Sequence, residues 1–190
     1  MKIVIQTGSP TRVPARSSAT PWWLTALASL WVAASASAQT GQILCSVTEN
    51  GSPARGNVVV EQKGRQMAAG SCNGTLSVPA GKYEVTVRID GVLDNPAKTR
   101  RVEVATDKTV PVSVDFKTGV LEVRIESQDN RGTGIVTVSQ LGKRIGTLGS
   151  GVATHLSAGR YEVLVRLDGK ERRYSVDLKP GQRRLVRAQL

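Results

Sequence analysis

Ala80-Gly81-Lys82-Tyr83-Glu84-Val85-Thr86-Val87-Arg88-Ile89-Asp90-Gly91 returns 78 residues later as Ala158-Gly159-Arg160-Tyr161-Glu162-Val163-Leu164-Val165-Arg166-Leu167-Asp168-Gly169. In both stretches an apolar residue occupies every second position from the tyrosine onward, the period of a strand with one buried face. A branched Cβ packs well on a pleated surface, so Tyr83, Val85, Val87 and Ile89 point to a core while Glu84, Thr86 and Arg88 point to water. At Asp168-Gly169 a two-residue type I′ hairpin is expected, pairing Leu167 with Lys170, Arg166 with Glu171, Val163 with Tyr174 and Tyr161 with Val176. Val165 then meets Arg172, so the core should end short of the hairpin tip.

Outward from this pair, the same offset aligns residues 41–91 with 119–169 without a gap, with 15 of 51 positions identical. Val58, Val60, Gln62 and Gly64 meet Val136, Val138, Gln140 and Gly142. After the shared Asp-Gly, the first copy is read as carrying six extra residues, through Asn95-Pro96, before Arg100-Arg101 realigns with Arg172-Arg173. A repeat of this length exceeds the 20–50 residues of solenoid units, so each copy is expected to be a small domain with its own core. The boundary is placed near Lys117-Thr118-Gly119, giving modules over 39–117 and 118–190.

Ile43, Cys45 and Val47 repeat the alternation, as do Leu121, Val123 and Ile125, and no 3.6-residue period appears after the N-terminal segment. Turn signals punctuate the runs at Asn50-Gly51, Asn73-Gly74, Ala80-Gly81, Asp90-Gly91, Asn130-Arg131-Gly132 and Pro180-Gly181. Six or seven short strands per copy predict an all-β protein of two tandem antiparallel β-sandwich modules.

Residues 1–38 carry Lys2, Arg12 and Arg16 with no acid, then an apolar run from Pro21 to Ala34, then Ala36-Ser37-Ala38. This is the order of a secretory signal peptide, and the apolar run is shorter than the roughly 20 residues a spanning helix needs. Export to a bacterial periplasm or the extracellular space is therefore expected, with no transmembrane segment in the mature chain. Cys45 and Cys72 are the two cysteines of the chain. An even count in an exported protein favours a disulfide over a metal site.

The Pro79 to Val87 run resembles the signature of the carboxypeptidase regulatory-like family. Further counterparts are Gly41-Gln42-Ile43, Gly51-Ser52-Pro53 and Val58-Val59-Val60, and in the second copy Gly119-Val120-Leu121, Val136-Thr137-Val138 and Ser157-Ala158-Gly159-Arg160-Tyr161. The resemblance implies a transthyretin-like (prealbumin-like) sandwich and a non-catalytic role in an envelope or surface protein. The Thr-Asp-x-x-Gly element common before that signature is absent from both copies, and Ser157 stands where the signature has proline. PEGA-type and other immunoglobulin-like repeats remain alternatives.

The inventory of reactive residues argues against an enzyme. The chain has one histidine, His155, which aligns with Ser77 beside the inward Leu156 and is expected to flank a strand. No zinc spacing and no GxSxG, Walker or dinucleotide motif occurs, so neither metal nor cofactor is expected. Glu84 and Glu162 read as solvated strand faces, and Asp90 and Asp168 as turn residues. Aromatic residues are scarce beyond the N-terminal segment, which weakens nucleic-acid or sugar stacking.

Charge is uneven. Residues 39–117 net +2 and residues 118–190 net +6. A structural or protein-interaction role with another envelope or surface protein is the expectation. The alternative is an anionic polysaccharide or lipid surface bound through the basic second copy, where Arg173, Arg183 and Arg187 are expected to form one patch.

Overall fold

The structure, a computed structural model, describes residues 39–126 and 134–190. The signal-peptide expectation and the Asn130-Arg131-Gly132 turn lie outside the described residues. In the first copy the strands are β1 (Thr40–Glu49), β2 (Ser52–Pro53), β3 (Gly56–Gln62), β4 (Arg65–Ser71), β5 (Gly74–Pro79), β6 (Gly81–Ile89), β7 (Ala97–Val104) and β8 (Thr109–Phe116). In the second they are β9 (Thr118–Glu126), β10 (Ile135–Gln140), β11 (Lys143–Leu148), β12 (Ala153–Ser157), β13 (Gly159–Leu167), β14 (Lys170–Leu178) and β15 (Arg183–Gln189). No helix occurs among the described residues.

Each copy stacks two sheets. In the first, β5, β1 and β8 form one layer, with β2 folded onto the end of β1, and β4, β3, β6 and β7 form the other. In the second the layers are β12-β9-β15 and β11-β10-β13-β14. Neighbouring strands are antiparallel except that the last strand of each copy runs parallel to the first, β8 along β1 and β15 along β9. The copies share even a ladder irregularity, between Val60 and Glu61 and between Val138 and Ser139.

The alternating rows close two hydrophobic clusters. Ile43, Cys45, Val58, Val60, Val85 and Val87 are fully buried in one, and Leu121, Val123, Val136, Val138, Val163 and Val165 in the other. Complete burial of such side chains stabilises by roughly 1.5–3 kcal/mol each. The signature tyrosines lie in the same rows, and each hydroxyl donates to a carbonyl four residues upstream: Tyr83 to Pro79 at 2.6 Å and Tyr161 to Ser157 at 2.7 Å. A buried phenol needs such an acceptor.

The hairpin at Asp168-Gly169 has the expected register at every pair, including Val165 with Arg172. Both loop residues take positive φ, 47° and 78°, as a type I′ turn requires. Arg166 Nε donates to Glu171 Oε1 at 2.6 Å. Lys63-Gly64 and Leu141-Gly142 form two-residue loops of the same kind, although neither starts with Asn or Asp.

The insert of the first copy is four residues, not six. Eight residues separate the paired Arg88 and Ala97, against four between Arg166 and Glu171. Val85 pairs with Arg100 and Val163 with Tyr174, so the structural counterpart of Arg100 is Tyr174. The Arg-Arg identity misleads because the strand register follows the core-facing valines.

Cys45 and Cys72 are joined in a disulfide, with Cα atoms 4.9 Å apart. The bond ties the middle of β1 to the turn between β4 and β5. Closing a loop of this size removes unfolded-state entropy worth about 3–4 kcal/mol.

Candidate functional site

The two copies meet at a junction built from residues that look unremarkable in sequence. Thr118, at the start of β9, is 1% exposed. Asn50, in the Asn50-Gly51 turn, grips its backbone on both sides: Asn50 Nδ2 donates to Thr118 O at 3.0 Å, and Thr118 N donates to Asn50 Oδ1 at 3.1 Å. Glu49 Oε1 accepts the Thr118 hydroxyl and lies 2.7 Å from His155 Nδ1 on β12. Burial pushes the Glu49 carboxyl up, but the bonds from Thr118 and His155 outweigh it and hold the group below the usual carboxylate range.

The insert of the first copy reaches the same place. Val92 belongs to the first cluster, whereas the next side chain, Leu93, packs against the second. Leu93 N donates to His155 O at 2.9 Å, and Val92 forms a parallel bridge with His155. Asp94 Oδ1 accepts from Ser157 N at 3.0 Å. Leu93 fits because Gly146 faces it; a Cβ there would sit 3.0 Å from Leu93 Cδ1. Burial, then the nearby Asp94 charge, pushes the Tyr161 phenol up to about 12.

The basic residues divide between two faces. Arg173 pairs with Leu164 and lies on the outer face of β11-β10-β13-β14. Arg183 and Arg187 lie on the outer face of β12-β9-β15, opposite Val120 and Arg124. The two layers enclose one core, so their outer faces look in opposite directions. The single patch expected from the sequence is therefore corrected: Arg183 and Arg187 share one face with Leu185 between them, and Arg173 lies on the other layer.

Arg183 and Arg187 are also matched by acids. Glu122, with a side chain 4% exposed, takes Arg124 Nε on one oxygen at 2.7 Å and an Arg183 guanidinium nitrogen on the other at 2.6 Å. Those two hydrogen bonds, Arg183 first, hold its carboxyl below the usual range. Arg187 Nε lies 3.8 Å from Glu126. In the first copy Glu84 pairs with Arg101 at 2.9 Å, and Asp115 is held strongly ionised by Lys117, the Gly51 amide and Thr48. The side chain of Asn73 donates to Ala54 O at 2.8 Å.

Among the described residues no group of His, Cys, Asp and Glu is arranged to hold a metal ion. No described helix is long and apolar enough to cross a membrane. The junction went unseen in the sequence because Glu49 and His155 are 106 positions apart and belong to different copies. The only available signal was the insert itself, an apolar Val92-Leu93 pair in an otherwise polar loop.

No family model matches the chain, and no curated protein matches it in sequence. Among solved structures it is similar to the TIE protein of Bacillus anthracis, at 14% identity and TM-score 0.39, over 80% of this chain and 33% of that one. An adhesin-like protein of Bacteroides ovatus is similar at 7% identity and TM-score 0.40, over 80% of this chain and 92% of that one. A leucine-rich repeat protein of Bacteroides thetaiotaomicron matches at 15% identity and TM-score 0.33, over 80% of this chain and 26% of that one. The chain thus spans about a third or less of the first and third of these proteins.

Proposed function

We propose that the chain is an exported, non-enzymatic protein of the bacterial envelope or surface, whose two copies are structural and protein-interaction modules. The observation that carries this is the Cys45–Cys72 bond within the first sandwich, because such bonds persist in oxidising compartments outside the cytosol. The N-terminal charge pattern and Ala36-Ser37-Ala38 fit the same route. The lone histidine is engaged by Glu49 at the junction, which supports a structural use for it. The carboxypeptidase regulatory-like, transthyretin-like assignment belongs to this proposal. Its support is that both signature runs fall on the same strand of each copy, β6 and β13, with the same tyrosine hydrogen bond.

The anionic-polymer alternative has less support, since Arg173 lies on the opposite layer from Arg183 and Arg187 and the three do not make one extended basic patch. Cell fractionation followed by cross-linking and pull-down at two ionic strengths separates the two. A defined protein partner retained at high salt supports the interaction role. Retention on heparin or anionic liposomes that collapses with salt, with no protein partner, favours the polymer. Free thiols at both cysteines in material from the native compartment overturn the export proposal.

A further inference from the structure

β15 closes the β12-β9-β15 layer on one side, and among the described residues no strand pairs with its outer edge. Val120 N donates to Gln182 O and Leu190 N to Glu126 O. Even-numbered residues of β15 therefore turn their backbone groups toward β9. Alternation turns the amides and carbonyls of Arg183, Leu185, Arg187 and Gln189 outward. Such a row is a template for an added strand.

The first copy blocks the same edge at two positions. Gln42 N donates to Lys108 O and Asn50 N to Phe116 O, so the outward residues of β8 are Thr109, Pro111, Ser113 and Asp115. Pro111 has no amide to offer, and Asp115 O is occupied by Lys98 Nζ at 2.7 Å. By register, Leu185 stands where Pro111 does and Gln189 where Asp115 does, through Val186 with Val123 and Val112 with Cys45. Among the described residues neither block occurs on β15.

The side chains along this edge indicate the occupant. Arg183 and Arg187 are 66% and 68% exposed and flank Leu185, which is 37% exposed, on one face at two-residue steps. On that face Glu122 takes one Arg183 nitrogen while keeping Arg124 as a second partner, and Glu126 lies 3.8 Å from Arg187, beyond hydrogen-bond distance, so each five-donor guanidinium keeps donors for an incoming acid. A second copy of the chain fits poorly. Antiparallel β15 pairing centred on Leu185 would set Arg183 against Arg187 twice, and like charges directly opposite destabilise.

We infer that the outer edge of β15 accepts an extended acidic segment of a partner protein, added as a strand with the pattern acid-x-apolar-x-acid. Acids lie opposite Arg183 and Arg187, and the apolar residue lies beside Leu185. This rests on the interaction role proposed above and names its partner class.

The test uses the mature protein and the peptide Thr-Asp-Thr-Val-Thr-Asp-Thr, capped at both ends. Its control is Asp-Thr-Thr-Val-Thr-Thr-Asp, which has the same composition but places acids and valine on opposite faces. Binding is read by calorimetry and by hydrogen exchange at the amides of Leu185 and Arg187. The first peptide should bind with Kd below about 1 mM and slow exchange at both amides, and the control should bind at least tenfold more weakly. Leu185→Pro should weaken binding about tenfold; Pro111 shows that the fold tolerates proline at this register position, and circular dichroism checks it. Arg183→Gln with Arg187→Gln should weaken binding and flatten its salt dependence. Equal binding of the two peptides, binding without protection of those amides, unaltered binding by Leu185→Pro, or no binding at 1 mM on the same scale would overturn the inference. None of these results touches a partner recovered by pull-down, so the interaction role stands or falls separately.

Discussion

In the first copy Cys45 and Cys72 tie β1 to the turn beside it, whereas the aligned positions of the second copy hold Val123 and Ser150. The second copy secures the same corner with a hydrogen bond, from Ile125 N to Ser150 Oγ at 3.0 Å. The counterpart of Ile125 is Val47, whose amide is bonded by Asn73 Oδ1 at 3.3 Å. Packing was exchanged as well. Gly70 lies against Leu76 in the first copy, and the aligned pair in the second is Leu148 and Thr154, so the large side chain changes strands while the volume stays. One backbone plan thus tolerates different fastenings, and what distinguishes the copies is where each is anchored: the first by a covalent bond within itself, the second by Leu93, Asp94 and Glu49 reaching over from the first.

Removing the covalent fastening should produce the largest effect. Cys45→Ser with Cys72→Ser should cost the first copy about 3–4 kcal/mol in denaturant unfolding and leave the transition of the second copy nearly in place. An equal loss in both would mean that the copies unfold as one unit.

Next in size is the insert. Leu93→Ala removes a half-buried side chain from the second cluster and should cost about 1–2 kcal/mol, expressed in the second copy, with the disulfide unaffected. If the loss appears only in the first copy, the insert serves its own module.

A smaller effect is expected from Glu49→Gln, about 1 kcal/mol, because it weakens the bonds to His155 and Thr118 without emptying space. Glu49 and Glu122 both have folded-state pKa values below the ordinary 4.5. Their contribution is complete above that value and is lost as pH falls through the lower folded-state values. The Tm of the native protein should therefore drop on acidification below pH 4.5, and Glu49→Gln should flatten that slope. An unchanged slope would place the acid sensitivity elsewhere, with Asp115 the next group to test.

The strands were legible because the valine rows have period two, and the Asp168-Gly169 register could be counted residue by residue because a two-residue loop leaves no freedom. The disulfide was legible from the cysteine count and the N-terminal pattern together. The insert length is not legible in the sequence, because Arg100-Arg101 and Arg172-Arg173 match in letters while the core-facing valines set the register. The separation of Arg173 from Arg183 and Arg187 is not legible either, because parity along a strand says which side chains share a face of one sheet, not which sheet that is. The junction was invisible for a related reason: Glu49, Thr118 and His155 each look ordinary until the second copy is set against the first.

We propose that the two sandwiches, fastened differently, fold separately. Expressing residues 118–190 alone tests it most directly, since that fragment keeps all of β9–β15 and loses Leu93, Asp94 and Glu49. The expected result is a β-type circular dichroism spectrum and one cooperative thermal transition, at a lower Tm than the second copy shows in the whole protein. A disordered fragment with no cooperative transition would contradict the claim and would mean that the two copies share a single folding unit.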